Sequence, residues 1–503
     1  MNKKVYLSAI VALAMAGTVL TSCSSEEETT KDDDTETVWG KDGGVTSCNK
    51  ILFDNVIGNG DQEFVFKGKQ TLKKGTYTLK GWVYIGDGSE LTIEPGTIIK
   101  GDKQTKAALI VEPGGKLYAK GTASEPIVFT SGEAKGNRKP GDWGGLIICG
   151  KAKNNQGTMQ IEGGPRTMHG GTDDADNSGI ISYVRVEFAG YPFATDKEIN
   201  AVTFGSVGSG TQVDHIQVAY SNDDSYEWFG GSVNCKYLIA YKGWDDEFDT
   251  DNGFSGNVQF ALSVRDPKIA DKSMSNGFES DNCGDGALVD PYTTCTFSNV
   301  TFIGPKAVSS DFQNTEDYID GGSVYPNNGS GLGKFQSVMQ IRRASRLSCF
   351  NSIAVGYPIG LMLDGEKGDT QASATAGKLC LENLWFANMD NLGSDKNKLF
   401  SDILYDWSAK AEDSSKQSFS STFFLAQTGN KYFESASSWL LTDAAGLGAA
   451  YQPQSGSPLL TAASFSNSKL STGFDKVNYL GAFAAGDKWL NGWTNFDPQN
   501  ADY

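Results

Sequence analysis

Leu91-Thr92-Ile93-Glu94-Pro95-Gly96 returns eighteen residues later as Leu109-Ile110-Val111-Glu112-Pro113-Gly114. Each copy is a short apolar strand punctuated by a Pro-Gly turn. The second copy continues through Leu117, Ala119 and Gly121 into Pro126-Ile127-Val128-Phe129-Thr130-Ser131. Further on, alternation in Val184-Arg185-Val186-Glu187-Phe188 places Val184, Val186 and Phe188 on one face of a strand. Related runs follow at 216–220, 237–241, 258–264, 300–304, 350–356 and 381–387, with intervals near 22 residues that lengthen to 30 to 50 where insertions intervene. A period of about 20 to 25 residues, built from short strands and Gly turns with little helical periodicity, is the pattern of a parallel β-helix. In that fold each coil buries its inward residues against the next. Leucine-rich repeats need a Leu and Asn pattern absent here, and propeller blades need about 40 residues.

The expected fold class is therefore all-β, a right-handed parallel β-helix over residues 76–390, with ten to twelve coils between 75 and 390. Its open ends need covers. Residues 39–75 are the expected N-terminal cap, and the aromatic-rich segment 391–503 covers the other end or folds back along the side. Within that segment, Leu399–Lys410 and Tyr432–Leu441 have the spacing of short helices.

The chain has 503 residues with 43 basic against 61 acidic, a formal charge of −18, and 60 glycines that accord with a turn-rich β protein. Only seven arginines are present, which argues against nucleic acid as a partner, because phosphate tracking needs clustered cations.

Residues 1–22 read as a secretory signal: Lys3 and Lys4 precede an apolar stretch from Val5 to Leu20 that is too short to span a bilayer. Leu20-Thr21-Ser22-Cys23 resembles the lipobox of bacterial lipoproteins, which implies that Cys23 is lipidated and joins the protein to a membrane. An ordinary signal with a chance cysteine is the alternative. Residues 23–38 hold Glu26, Glu27, Glu28, Asp32, Asp33, Asp34 and Glu36 and are expected to form a disordered tether. Ser24-Ser25-Glu26-Glu27-Glu28 resembles the acidic export signal of Bacteroidetes-type lipoproteins, which implies an outer-membrane location facing the medium. A merely solvated linker is the plain alternative.

With Cys23 lipidated, Cys48, Cys149, Cys235, Cys283, Cys295, Cys349 and Cys380 remain, an odd number. Cys283 with Cys295 is the favoured disulfide pair, and no zinc spacing is present.

Pro126–Ser131, Gly141-Asp142-Trp143-Gly144-Gly145, Trp244-Asp245-Asp246 and the Tyr479–Pro498 tail together resemble a family of Bacteroidetes-type secreted and lipid-anchored β-helix proteins. The resemblance covers most of residues 75–503 and implies a pectin-lyase-like solenoid and a surface location, but no catalytic residue.

The chemistry concentrates between Asn222 and Asp285. Asp223-Asp224 and Asp245-Asp246 lie 22 residues apart, as do Glu227 and Asp249, so these carboxylates should stack on one edge of successive coils. Phe248-Asp249-Thr250-Asp251-Asn252 recurs thirty residues on as Phe278-Glu279-Ser280-Asp281-Asn282, and Leu363-Asp364 is a possible extension of the column. Carboxylates about 5 Å apart repel unless a proton or cation lies between them. Calcium accepts about six to eight oxygens and needs no histidine, so Glu227, Asp249, Asp251, Glu279 and Asp281 are the candidate ligands. A column of turn residues bonded to their own backbone is the competing reading.

An enzyme reading uses the same region. Trp228 and Trp244 would stack on sugar rings, Asp245, Asp246 and Asp249 would supply carboxylates for hydrolysis, and Arg265 or Lys242 would serve a lyase as base. Arg342, Arg343 and Arg346 read as a solvated turn, His169 as structural, and His215 and Gln217 as outward-facing. The leading expectation is a calcium-stiffened surface lipoprotein that binds a polysaccharide or a protein such as an outer-membrane transporter. A secreted polysaccharide lyase or glycoside hydrolase and a structural adhesin are the alternatives.

Overall fold

The Pro-Gly repeats stack as the period requires. Leu91 lies between Gln70 and Leu117, and Leu109 between Val83 and Leu146, all in parallel register. The structure, a computed structural model, describes residues 36–194 and 197–503. The expected signal peptide, Cys23 and the tether up to residue 35 lie outside the described residues. Two long sheets carry the body. One has 13 strands and runs from Trp39–Asp42 to Asn391–Ser394, parallel throughout except for its first pair; the other has 18.

Nine strands of the first sheet fall between residues 75 and 390, just short of the coil number expected, because excursions such as 304–336 consume chain without adding a coil. The coils also exceed the expected bounds. Thr46 already pairs in parallel with Phe64, so residues 45–72 are coil rather than cap, and the Lys431–Phe433 strand still adds to the second sheet. Among the described residues, Trp39–Asp42, antiparallel to Val45–Cys48, closes the N-terminal end, with the Trp39 ring stacked 5.3 Å from Phe53.

A single apolar core extends from Cys48 to Phe424 inside the coils. Inward residues such as Leu146, Ile148, Val202 and Phe204 are wholly buried, each stabilising the fold by roughly 1.5–3 kcal/mol. The outward residues of the same strand, Ile147 and Cys149, are buried as well, beneath covering segments. That explains why these strands read as continuous apolar runs rather than clean alternations.

Strands of the second sheet bend sharply at left-handed residues that stack in register. Tyr183, His215, Tyr237, Phe260, Asn299, Asn351 and Asn383 all have φ between 50° and 61°. Non-glycine residues enter this region at a cost, and Asn enters most easily. Here the aromatic members recover stability by stacking, with His215 sandwiched 4.2 Å from Tyr183 and 4.5 Å from Tyr237. A second left-handed corner, φ 59° at Phe188, corrects one expectation. Val184 and Val186 face the core, but Phe188 turns outward onto Tyr220.

The C-terminal segment folds back along the side. Trp493 meets Tyr183 and His215 edge-on, Asn495 exchanges two hydrogen bonds with Gln217, and the Tyr503 carbonyl accepts from Lys100 Nζ at 2.6 Å. Gln217 therefore points out of the coil, as expected, yet is buried. The first expected helix does not form, and of the second only a 3-10 turn, Ser437–Trp439, is present. Leu404–Asp406 and Ala411–Asp413 make a hairpin, and Lys431–Phe433 is a strand, since each pairs its backbone with a neighbour that sequence spacing does not reveal. The helix is instead Phe419–Ala426, capped by Ser418, and its Phe424 packs 4.7 Å from Phe386 to close the C-terminal end of the core.

The Cys283–Cys295 pairing also fails. All seven described cysteines are free; Cys295 lies in the core, whereas Cys283 sits in a partly exposed loop and donates to Asp285. Among the described residues no helix is long and apolar enough to cross a membrane.

Candidate functional site

Alternation within Tyr226-Glu227-Trp228-Phe229 decides the site. Tyr226 and Trp228 enter the core, so Glu227 and Phe229 must face out. The same holds one coil on, where Phe248 and Thr250 are buried and Asp249 and Asp251 are less so. Register then places Glu227 beside Asp249, Asp249 beside Glu279, and Glu279 beside Gln340. The stacked carboxylates expected from the 22- and 30-residue spacings are thus brought together.

The paired aspartates preceding each strand form a second column. The Asp224 N–H donates to Asn200 Oδ1 at 3.2 Å, the Asp246 N–H to Asp224 Oδ1 at 2.9 Å, and the Asn276 N–H to Asp246 Oδ1. Turn chemistry and a cleft lining are therefore both present. One oxygen of each aspartate holds the next coil, while the side chain also lines an open cleft of about 310 Å³.

Glu162, Asp223, Asp224, Glu227, Asp245, Asp246, Asp249 and Glu279 line that cleft with Asn200, Ser273, Gln340, Arg342, Asn397 and Lys398. One oxygen each from Asp223, Asp224 and Asp245 lie within 4.8 Å of one another, as do those from Asp224, Glu227 and Asp249. Burial, and then the neighbouring carboxylates, raise the proton affinities of Asp224, Glu227, Asp245 and Asp249 well above the ordinary range. Asp251, one step along the strand, is pushed up to about 7 by burial and by Asp281. Asp245 Oδ1 and Asp249 Oδ1 are buried atoms without a hydrogen-bond partner.

Two of the expected ligands point elsewhere. Asp281 is held by Arg342 Nε at 2.9 Å and Arg343 Nη1 at 2.7 Å, and Asp251 accepts from the Asn252 N–H. Asp364 follows Leu363, which pairs with Ile341, so it aligns with Arg342 and Asp281 rather than with the Glu227 column; it accepts from the Glu366 and Asn397 N–H groups.

The stacking tryptophans are a correction. Trp228 and Trp244 are both 0% exposed: Trp228 stacks with Phe204, Tyr226 and Phe254 in the core, and Trp244 donates to the Gly331 carbonyl beneath the 304–336 excursion. The alternation that turns Glu227 outward already opposed Trp228 to it. Arg265 is a second correction. Its guanidinium is wholly buried, 2.7 Å from Glu247, and donates to the Asp245 carbonyl, so it holds the loop that carries Asp245 and does not face the cleft. Lys242 is likewise paired away, with Asp266 at 3.3 Å.

Arg342 is not part of a solvated turn. It is the guanidinium of the site, bound to Glu279 and Asp281, and although burial opposes its charge those two carboxylates raise its proton affinity. A signal for it existed: Arg342 follows the Ser337–Ile341 strand as Asp281 follows Phe278–Ser280. His169, buried against Ser206 Oγ at 2.9 Å, is structural in its placement, and burial depresses its proton affinity to about 4.

A profile of the pectate-lyase-like β-helix domain matches residues 65–440, about three-quarters of the chain. The chain belongs to that family. No curated protein and no solved structure matches. Membership in the pectate-lyase-like family accords with the two parallel sheets, and the matched span contains every residue of the acidic cleft.

Proposed function

We propose that the chain is an outer-membrane lipoprotein, anchored through Cys23 and exposed to the medium, whose acidic cleft binds glycan with calcium held among its carboxylates. The observation that carries this reading is the double grouping of carboxylates around Asp224, each group within 4.8 Å. Like charges so close, and so little hydrated, need protons or a cation between them. The donor set fits calcium: it is all oxygen, and among the described residues Asp245 Oδ1 and Asp249 Oδ1 are unpartnered and neither histidine nor cysteine lines the cleft. Asp223, Asp224, Asp245, Glu227 and Asp249 would hold the ion, which would supply positive charge for sugar oxygens. The long lateral face of the coils suits an extended ligand, or a protein partner such as an outer-membrane transporter.

A polysaccharide lyase or glycoside hydrolase is the second reading. It is favoured by the raised proton affinities of Asp245, Asp246 and Asp249, the property a general acid needs. The purified chain, incubated with neutral and acidic polysaccharides with and without calcium, separates the two. Calcium-dependent retardation in affinity electrophoresis without shortening of the polysaccharide is the expected result. Shortened products would establish the enzyme, and absence of retardation with every polysaccharide would sink the glycan reading.

A further inference from the structure

Beside the acidic cleft lies a second compartment of about 420 Å³, and Glu162 lines both. Its position follows from the strand itself. Phe229 and Asp251 point to the same side as Glu227 and Asp249, two residues further along, about 7 Å. The carboxylate column of the cleft therefore continues into a pair of different character, the Phe229 ring next to the Asp251 carboxyl group.

Two excursions from the coils build the walls. Met159–Gln160 pairs with Met168–His169, and its continuation supplies Ile161, Glu162, Gly163 and Gly164. Pro192–Ala194 contributes Phe193, a large apolar side chain that remains 46% exposed. The ring is nevertheless held. It lies 5.6 Å from the buried Trp82 ring, and it packs so closely on Gly164, φ 95°, that a Cβ there would come within 2.8 Å of it. A glycine is required at that contact, and an exposed phenylalanine supported from behind is a preorganised platform rather than a loose surface residue.

We propose that this compartment is a second sugar subsite, in which the exposed Phe193 ring covers the apolar C–H face of a sugar while Gln160 and Asn252 meet its hydroxyls. The cleft and the compartment then hold adjacent units of one chain, so the shortest ligand that fills the site is a disaccharide. The inference rests on the glycan reading of the cleft and adds the aromatic platform that Trp228 and Trp244, both buried, do not supply. An apolar wall with a few placed polar groups is the usual make-up of a small-molecule subsite.

The test is a calorimetric titration of the calcium-loaded full chain with glucose and cellobiose, and with galacturonate and digalacturonate. One disaccharide is expected to bind about tenfold tighter than its monosaccharide, because only it reaches both compartments. Phe193→Ala should abolish that ratio while leaving monosaccharide and calcium affinities unchanged, and Phe193→Tyr should retain it. Equal binding of mono- and disaccharide by the wild type, or an undiminished ratio in Phe193→Ala, would overturn the subsite alone. Failure of all four sugars to bind a chain that still takes up calcium would overturn the glycan reading, and the subsite with it.

Discussion

Asp249→Asn tests whether the carboxylate column is a cation site or merely turn structure. Asp249 has Glu227 on one neighbouring coil and Glu279 on the other, and coils stack about 4.8 Å apart. At an effective dielectric of about 20, two unit charges at that spacing repel by about 3.5 kcal/mol. Arg342 compensates Glu279, whereas Glu227 is met by the neutral amide of Asn200 and Asp224 also lies within 4.8 Å, so the repulsion on Asp249 without a cation amounts to one to two such pairs. Proton uptake relieves part of it. Near pH 8 in EDTA, where less protonation remains, the variant should therefore be more stable than wild type by about 1–3 kcal/mol. With calcium at about a hundred times its dissociation constant, the wild type gains about 2.7 kcal/mol by mass action. The variant, lacking a ligand oxygen charge, should gain little. The order of melting temperatures should thus invert between EDTA and calcium, which paired thermal melts and a calcium titration would show. A variant less stable than wild type in both conditions, or a wild type indifferent to calcium, would refute the cation site.

Further outcomes follow from the same geometry. Asp251 binds its proton up to about 7 in the folded chain against an ordinary 3.8, so its contribution to stability is present below about pH 4 and is lost as pH rises to 7. Calcium-free melts should fall across that window, and Asp251→Asn should lessen the fall by at most about 4 kcal/mol, leaving the part due to the cleft carboxylates. Trp228→Ala should cost about 3–5 kcal/mol in denaturant unfolding, with sugar affinity changed only as far as the fold is lost, because its ring stacks wholly inside the core. Arg265→Ala, which strands Glu247 in the interior, should cost about 3–5 kcal/mol in the same assay. A variant that keeps its stability but loses a catalytic turnover would restore Arg265 to the site.

The repeat period and the acidic column were legible in the sequence because a β-helix converts sequence spacing directly into spatial neighbourhood. Residues one coil apart, such as Glu227 and Asp249, touch whenever no insertion intervenes. Where excursions intervene, that translation fails. Gln340 lies beside Glu279 only because the 304–336 excursion leaves the coil after the Thr296–Ile303 strand and returns in register, and Glu162 reaches the cleft on a hairpin outside the coils. The arginines were misassigned for the same reason. Arg342 shares a local motif with solvated turns, and only its neighbour on the preceding coil reveals the ion pairs.

By itself the sequence determined the stacking of short strands, the side of a strand that enters the core as far as its left-handed corner, and the order of carboxylates along one edge, since these depend on period and alternation alone. Tertiary structure decided what covers each outward face. The tail buries Gln217, the 304–336 excursion buries Trp244, and two hairpins leave Phe193 exposed beside the carboxylates. Such coverage joins segments up to about 400 residues apart, as Lys100 does with Tyr503, and no local pattern encodes contacts at that separation.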